Sequence, residues 1–442
     1  MPIWKARGVK VPHLKHTEES RPREIPVPGR IVLPMQMHIG APAVPVVAVG
    51  DTVKVGQKVA EGDGFVSAPI HSGVSGTVRG IGDVLLPSGQ RAPAVTIESD
   101  GAQTLWEGLA APSVRDLGSF LAAVRESGVV GLGGAGFPTS VKLAVKDLSR
   151  IEAVIVNGAE CEPYITSDTR TMLDEAEHVF AGIALLQRFL GVKKVIIGIE
   201  DNKPQCIKAF EALCAKTSGV EVRPLPALYP QGGEKVLVYS ILGRIIPEGK
   251  LPLDVGALVL NCTTLAAVAR YIETGMPLVE KCVTVDGSAV KAPQNVKVPI
   301  GTPLSDIFAF CGGFAGEPRK VLYGGPMMGL AAADLDTPVL KTTNAVLALG
   351  EKEAAPPPET ACIRCGRCID HCPLNLMPCD IETAFRRKDG DSLSRLKVNL
   401  CMECGCCAYI CPARRPLVQT HKLAKGLLKQ HQAEQKAREE GK

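Results

Sequence analysis

The stretches CIRCGRCIDHCP (362–373) and CMECGCCAYICP (401–412) repeat one pattern, C-x-x-C-x-x-C-x-x-x-C-P, 39 residues apart. Cys362, Cys365, Cys368 and Cys372 lead into Pro373; Cys401, Cys404, Cys407 and Cys411 lead into Pro412. Two successive three-residue steps followed by Cys-Pro is the spacing that holds a pair of [4Fe–4S] clusters, the fourth cysteine of each block serving the other cluster. On that rule Cys362, Cys365, Cys368 and Cys411 form one ligand set, and Cys372, Cys401, Cys404 and Cys407 the other. C-x-x-C pairs also suit tetrahedral zinc, but the third cysteine and the Cys-Pro ending are not a zinc-finger spacing. The pattern implies one small fold that moves electrons singly.

Composition agrees with a redox protein in a reducing compartment. The 442 residues suffice for about three or four domains, and 45% of them are hydrophobic. Sixteen cysteines would suggest disulfides in a secreted chain, but clusters need free thiolates. Eight of the sixteen lie outside the ligand pattern (Cys161, Cys206, Cys214, Cys262, Cys282, Cys311, Cys379 and Cys406) and read as small buried hydrophobes. Cys406 breaks the three-residue step, which leaves Cys407 as the better ligand. MPIWKARGVKVPHLKH (1–16) has no apolar stretch of signal-peptide length, and nowhere do about 18 apolar residues run together. A net charge of +4 is too small to imply nucleic acid.

Working outward from the cysteines, the chain divides into units. Residues 1–28 are proline-rich and basic, an arm expected to lie extended on another surface. Residues 29–100 alternate β-branched runs with glycine turns, as in a small barrel or sandwich. Within them V-x-x-G-D-x-V-x-x-G-Q-x-V (47–59) and SAPIHSGVSGTV (67–78) resemble the lipoyl and biotinyl carrier domains. The expected hairpin tip holds Pro69, Ile70, His71 and Ser72 and no lysine, so this is a structural hybrid barrel, not a carrier. Residues 113–275 change to α/β texture: a helical VRDLGSFLAAVRESG (114–128), the apolar IEAVIVNG (151–158), a helix over 171–190 and the strand KVIIGIED (194–201). Strands alternating with helices indicate a parallel sheet covered on both faces. Residues 282–345 read as two strands and a helix of a β-grasp unit, 351–361 as a stiff proline linker and 362–416 as the cluster module. In the tail 417–442, Lys422, Lys425 and Lys429 alternate with Leu417, Leu423, Leu427 and Leu428, a basic amphipathic helix suited to an anionic membrane or a protein partner.

Gly131, Gly133 and Gly136 in GLGGAGFPTSVKL (131–143) fit G-x-G-x-x-G, a weak match alone, because the segment before it reads as helix instead of strand. Closely spaced glycines at a helix N-terminus still let backbone N–H groups approach a phosphate, with Lys142 in reach of it. Glu200 and Asp201, ending a strand, are candidates for a ribose hydroxyl.

GLGGAGFPTSVKL, NGAECEP (157–163), YPQGGEK (229–235) and NCTTLAAV (261–268), in that order, resemble the flavin- and NADH-binding subunit of respiratory complex I. With the barrel, the β-grasp unit and two cluster motifs added, the chain over residues 5–416 looks like the RnfC family of membrane-bound Rnf ferredoxin:NAD oxidoreductases. The resemblance implies a multidomain α/β protein: a lipoyl-like β hybrid barrel, a Rossmann-like FMN/NADH domain, a β-grasp (SLBB) domain and a C-terminal two-[4Fe–4S] ferredoxin-like module. It implies that Gly131, Gly133, Gly136 and Lys142 cradle the FMN phosphate and ribityl chain, and that Asn157 and Glu160 hydrogen-bond the flavin. Gly232, Gly233, Glu234, Asn261 and Thr264 would complete the pocket, Phe137 would stack on the nucleotide, and Glu162 and Lys250 would lie on the NADH side. The chain departs from the complex I pattern at Gly158-Ala159, at Gly233 and at Cys262.

The family further implies partners and place: other Rnf subunits, membrane-embedded and ferredoxin-like, ferredoxin indirectly and NADH, at the cytoplasmic face of the cell membrane as a peripheral protein. Ion movement, Na⁺ or H⁺, would belong to the partner subunits. Two other readings fit the same motifs, a soluble flavin and iron–sulfur reductase such as a cobalamin reductase, or a relay scaffold whose flavin site has decayed. The complete barrel ahead of the flavin domain favours the first reading.

Overall fold

The computed structural model describes residues 6–355 and 358–440. Residues 1–5, 356–357 and 441–442, which include parts of the expected arm, proline linker and tail, lie outside the described residues.

In the α/β domain four parallel strands run in the order Val220–Leu225, Val195–Glu200, Ala153–Gly158, Ala257–Asn261. Their side chains alternate between two cores, as strand geometry requires. Val154, Val156, Val195, Ile197, Leu258 and Leu260 join one face with Phe120, Ile183 and Leu265. Ile155, Ile196, Ala257 and Val259 join the other with Leu237, Val238 and Ile241. Burial on both faces explains why these strands read as continuous apolar runs. The first strand of the sheet pairs on one side with the second in sequence and on the other with the last. That reversal opens a crevice beyond the carboxyl ends of Ala153–Gly158 and Ala257–Asn261, the ligand position of open α/β sheets. The helix expected over 171–190 is instead two, Ser167–Asp174 and Ala176–Leu190, because Glu175 leaves the helical region at φ −128°. The N-terminus of the first lies at the crevice, where Asp168 N and Thr169 N donate to Glu160.

The barrel consists of a four-stranded and a three-stranded antiparallel sheet over a shared core of Ile31, Leu33, Val53, Val59, Ile70 and Val95. The expected tip is not exposed: Ile70, His71 and Ser72 are buried. The β-grasp unit also extends beyond its expected boundary, since its central strand is Ala345–Leu349, parallel to Glu280–Asp286. Its edge strand is Arg23–Glu24 of the N-terminal arm, parallel to Gln294–Pro299. Residues Glu351–Ala354, placed in the proline linker by sequence, form a single helical turn. At the C-terminus, short helices Arg367–Asp370 and Cys406–Tyr409 each start after a glycine at positive φ, Gly366 and Gly405. The helix Leu417–Glu440 packs onto that unit through Leu417, Ala424 and Leu428, all buried, so half of its expected membrane-facing leucines point inward. No helix among the described residues is long and apolar enough to cross a membrane.

One buried amine ties three domains together. Lys341, fully buried in the β-grasp unit, donates to Pro69 O of the barrel at 2.6 Å and to Gly128 O of the α/β domain at 2.7 Å. Burial pushes its pKa from 10.5 down to about 7. A neutral amine keeps two N–H groups, enough for both carbonyls. Between about pH 7 and 10 the unfolded chain therefore holds a proton that the folded chain has lost, and stability rises with pH. Relative to Lys341→Met, the parent protein should gain up to about 1.4 kcal/mol per pH unit above pH 7. Thermal melts of both proteins at pH 7 and 9 measure this; a gap that does not widen refutes it.

Candidate flavin cleft and cysteine clusters

Beyond the strand ends at Asn157 and Asn261 lies a cleft of about 830 Å³. All domains contribute walls: Met37, His38 and Leu86 from the barrel, Tyr323, Gly325 and Met328 from the β-grasp unit, and Met402 from the C-terminal unit. Of the residues expected from sequence, Gly133, Gly136, Asn157, Glu160, Glu162, Gly232, Gly233, Glu234 and Asn261 line it. Gly131, Phe137, Lys142, Lys250 and Thr264 do not.

The side chains that line the cleft also build it. Asn157 Nδ2 donates to Gly232 O at 2.9 Å and its Oδ1 accepts from Ala159 N, so one amide joins the two loops. Asn261 caps its own helix by accepting from Thr264 N and donates to Asp168 Oδ2 at 2.7 Å. Thr264 Oγ1, behind the wall, accepts from Leu132 N at 2.9 Å and fixes the glycine loop. The Glu160 carboxylate accepts from Asp168 N and Thr169 N at the start of Ser167–Asp174, where the helix dipole favours an anion. Burial nevertheless pushes its pKa up to about 7. Glu162 is likewise raised to about 7 by burial. It accepts from Met327 N and Met328 N at 3.1 and 2.9 Å, clamping the β-grasp loop over the cleft.

Three expectations need correction. Phe137, expected to stack on a nucleotide, does not line the cleft, and its backbone carbonyl closes the glycine loop by accepting from Gly131 N at 2.8 Å. Lys250 is exposed on the loop between Gly243 and Pro252, outside the cleft. Glu200 is buried against Lys203 Nζ at 2.9 Å, and Asp201 accepts from Ala227 N, so neither meets a ribose in the cleft. Lys142 stands behind the cleft wall, paired at 2.7 Å with Glu234.

Sequence reading missed Lys15 of the arm. Its buried ammonium donates to Glu160 O at 2.9 Å, Glu162 O at 2.8 Å and Ile165 O, within the loop that forms the cleft floor. Desolvation lowers its pKa. Nothing in a single sequence marks an arm lysine as the partner of a loop 145 residues away.

The residues present fit a phosphorylated flavin. Gly133, Gly134 and Ala135 line the cleft, and among the described residues their N–H groups have no protein acceptor. A Cβ at Gly133 would lie 3.1 Å from Asn261 Nδ2 and one at Gly233 2.4 Å from Met402 Cε, so the glycines stand where walls approach most closely. The cysteines group as the spacing implies. Cys362, Cys365, Cys368 and Cys411 line one small pocket, joined by Cys379. In the other set, Cys407 is raised by burial and by the charges of Cys404, Cys401 and Cys372. Among the described residues no three such side chains are drawn together as tightly as a metal ion would hold them.

Residues 124–270 match the family model of the Nuo51 FMN-binding domain, residues 5–102 that of the RnfC barrel sandwich hybrid domain and residues 282–331 that of the SLBB domain. The chain is 44% identical over 377 residues to a subunit of the proton-translocating ferredoxin:NAD(+) oxidoreductase complex of Clostridium ljungdahlii, covering 84% of this chain and 82% of that one. It is 41% identical to the counterpart from the Na(+)-translocating complex of Acetobacterium woodii, covering 87% of this chain and 88% of that one. The corresponding subunit of the ion-translocating oxidoreductase complex of Rhodobacter capsulatus is 41% identical, covering 95% and 82%. The chain belongs to the RnfC family. It is thus a subunit of an ion-translocating oxidoreductase complex. Among solved structures it is similar to a chain of an NAD⁺-reducing [NiFe]-hydrogenase in the H2-reduced state, at 22% identity and TM-score 0.49 over 69% of this chain and 61% of that one, too distant to carry an argument.

Lys15→Met should cost about 3 kcal/mol, because three buried carbonyls lose their shared charged donor. A lower melting temperature and faster proteolysis between residues 158 and 166 are the expected results. A variant as stable and as protease-resistant as the parent would show that the arm merely lies on the loop.

Proposed function

We propose that this chain passes electrons between ferredoxin and NAD within an Rnf-type complex, holding FMN and NAD(H) in the cleft and two [4Fe–4S] clusters on its C-terminal cysteines. Partner subunits in the membrane, with which the chain docks from the cytoplasmic face, carry the coupled Na⁺ or H⁺. Flavin bound in the cleft supplies the exchange between hydride and single electrons that neither nicotinamide nor a cluster can perform alone.

The observation that carries this reading is the position of Met402. It stands between Cys401 and Cys404 and at the same time lines the cleft, against Gly233. The set Cys372, Cys401, Cys404 and Cys407 is therefore the one beside the flavin. Cys362 and Cys365 are exposed, which suits the other set to exchange electrons with a partner protein. On the cleft side, the free N–H groups of the 133–135 loop would receive the phosphate, and Asn157 and Asn261 would line the same cleft. Glu162 would keep the β-grasp loop closed over the site and water out of it.

Anaerobic purification followed by iron, sulfide and flavin analysis tests the reading. About eight irons and eight sulfides per chain are expected, with stoichiometric FMN that NADH bleaches. Stoichiometric zinc in a colourless protein would overturn it. Cys372→Ala should damage the cluster of the second block, not that of its own, as cross-ligation requires; loss confined to the first block would refute the ligand assignment. Gly133→Val should abolish flavin retention with iron unchanged, and retained stoichiometric FMN would place the phosphate elsewhere.

A further inference from the structure

The small pocket of the C-terminal unit is lined by five cysteines, one more than a [4Fe–4S] cluster takes from a protein. Cys362, Cys365, Cys368 and Cys411 belong to the repeated spacing, and Cys379 does not. Cys379 is half-buried at the second position of the helix Pro378–Arg386, and its side chain meets that of Cys368. Its sulfur has one further contact, a long one of 3.8 Å to Asp380 Oδ1 beside it. The helix is fixed against the segment that supplies Cys411. Glu382, one turn after Cys379, accepts from Arg415 Nε at 2.7 Å, and Arg415 lines the same pocket. The pseudo-repeat offers no counterpart, since Val418 stands 39 residues after Cys379.

We propose that Cys379 is a reserve ligand of the cluster held by Cys362, Cys365, Cys368 and Cys411, taking over the iron of Cys368 when that bond is lost. The inference rests on the iron–sulfur reading above. Contact with Cys368 singles out that ligand among the four. The exchange balances without an oxidant or a reductant. The Cys379 thiol gives up its proton, its sulfur bonds the vacated iron, and Cys368 leaves the iron and takes up a proton. No electron moves, and the cluster keeps its irons and sulfides. Cys362 and Cys365 are exposed, so this is the set open to solvent, where a lost ligand would release iron. A fifth sulfur in the same pocket keeps that set filled.

The test compares the anaerobically purified full chain with Cys368→Ala, Cys379→Ala and the double variant. Iron, sulfide and FMN are counted in each, and EPR of the oxidised and reduced proteins reports the cluster type. Retained FMN shows that the fold is intact. The parent and both single variants should hold about eight irons; the double variant should fall to about four, or show the signal of a three-iron cluster. In Cys368→Ala the reduced-state lines of one cluster should shift, because a sulfur from another position now holds one iron. Loss of iron from Cys368→Ala overturns the proposal, since the reserve then fails to engage. A double variant with as much four-iron cluster as Cys368→Ala also overturns it, because some other ligand must fill the place. Iron lost from Cys379→Ala alone would make Cys379 a permanent ligand and not a reserve. A parent chain with no iron or EPR signal instead sinks the cluster reading itself, before any variant is compared.

Discussion

The cleft depends on one ammonium group. The loop from Gly158 to Ile165 contains two non-glycine residues at positive φ, Glu160 at 46° and Tyr164 at 70°, a conformation disfavoured by about 1 kcal/mol or more each. Such a loop persists only where its surroundings over-determine it. Lys15 does so by gathering three of its carbonyls, while Lys203 Nζ holds a fourth, Ala159 O, at 2.8 Å. With the carbonyls turned inward to these amines, the Glu160 side chain is free to cap the helix Ser167–Asp174, and Glu162 is free to reach the β-grasp loop. The negative side chains and positive arm residue are buried together. Each pKa is displaced by desolvation, and the charges of the others partly oppose that displacement.

The same logic explains why four folding units share one site. The barrel contributes no chemistry; its buried hairpin, held through Pro69 to Lys341, lets the segments Met37–Ile39 and Leu86–Gln90 form a wall. Ile39 N donates to Gly136 O at 2.9 Å, so the barrel also braces the glycine loop from outside. On the opposite side Gly325 lies so near Glu162 that a Cβ would fall 2.1 Å from its carboxylate oxygen. Glycine there is a condition of the clamp, not a loop preference.

Sequence carried the parts whose signal is local. The apolar runs of the parallel strands and the β-branched alternation of the barrel are patterns within ten or twenty residues, and each became the element it implied. Asn157 and Asn261 were named only through the family resemblance, and both stand at strand ends lining the cleft. What could not be read was long-range. Lys250 and Phe137 were assigned by position in a motif, but their placement is decided by where a loop exits and by which carbonyl closes a turn. The arm's edge strand Arg23–Glu24 and the buried amines Lys15 and Lys341 exist only through partners more than a hundred residues away. The split of the 171–190 helix was missed for a related reason. Its composition favours helix throughout, yet Glu175 leaves the helical region at φ −128°.

Tyr229 is where these constraints meet the cysteine module. Its backbone pairs with Val9 in both directions, at 2.8 and 3.0 Å, and its hydroxyl lies 3.4 Å from Glu162. The Cys406 thiol adds a second, long contact to the Tyr229 carbonyl at 3.8 Å. That contact accounts for the cysteine that breaks the three-residue step. Cys406 is fully buried with Val9, Val11 and Tyr229, and its thiol also meets the Cys404 side chain. A small apolar thiol packs where a larger side chain would push the second block off the α/β domain. Cys406 thus packs the second block against the α/β domain beside Met402, which lines the cleft. The arm, the cleft floor and the second cysteine block are therefore registered to one another through a single buried tyrosine.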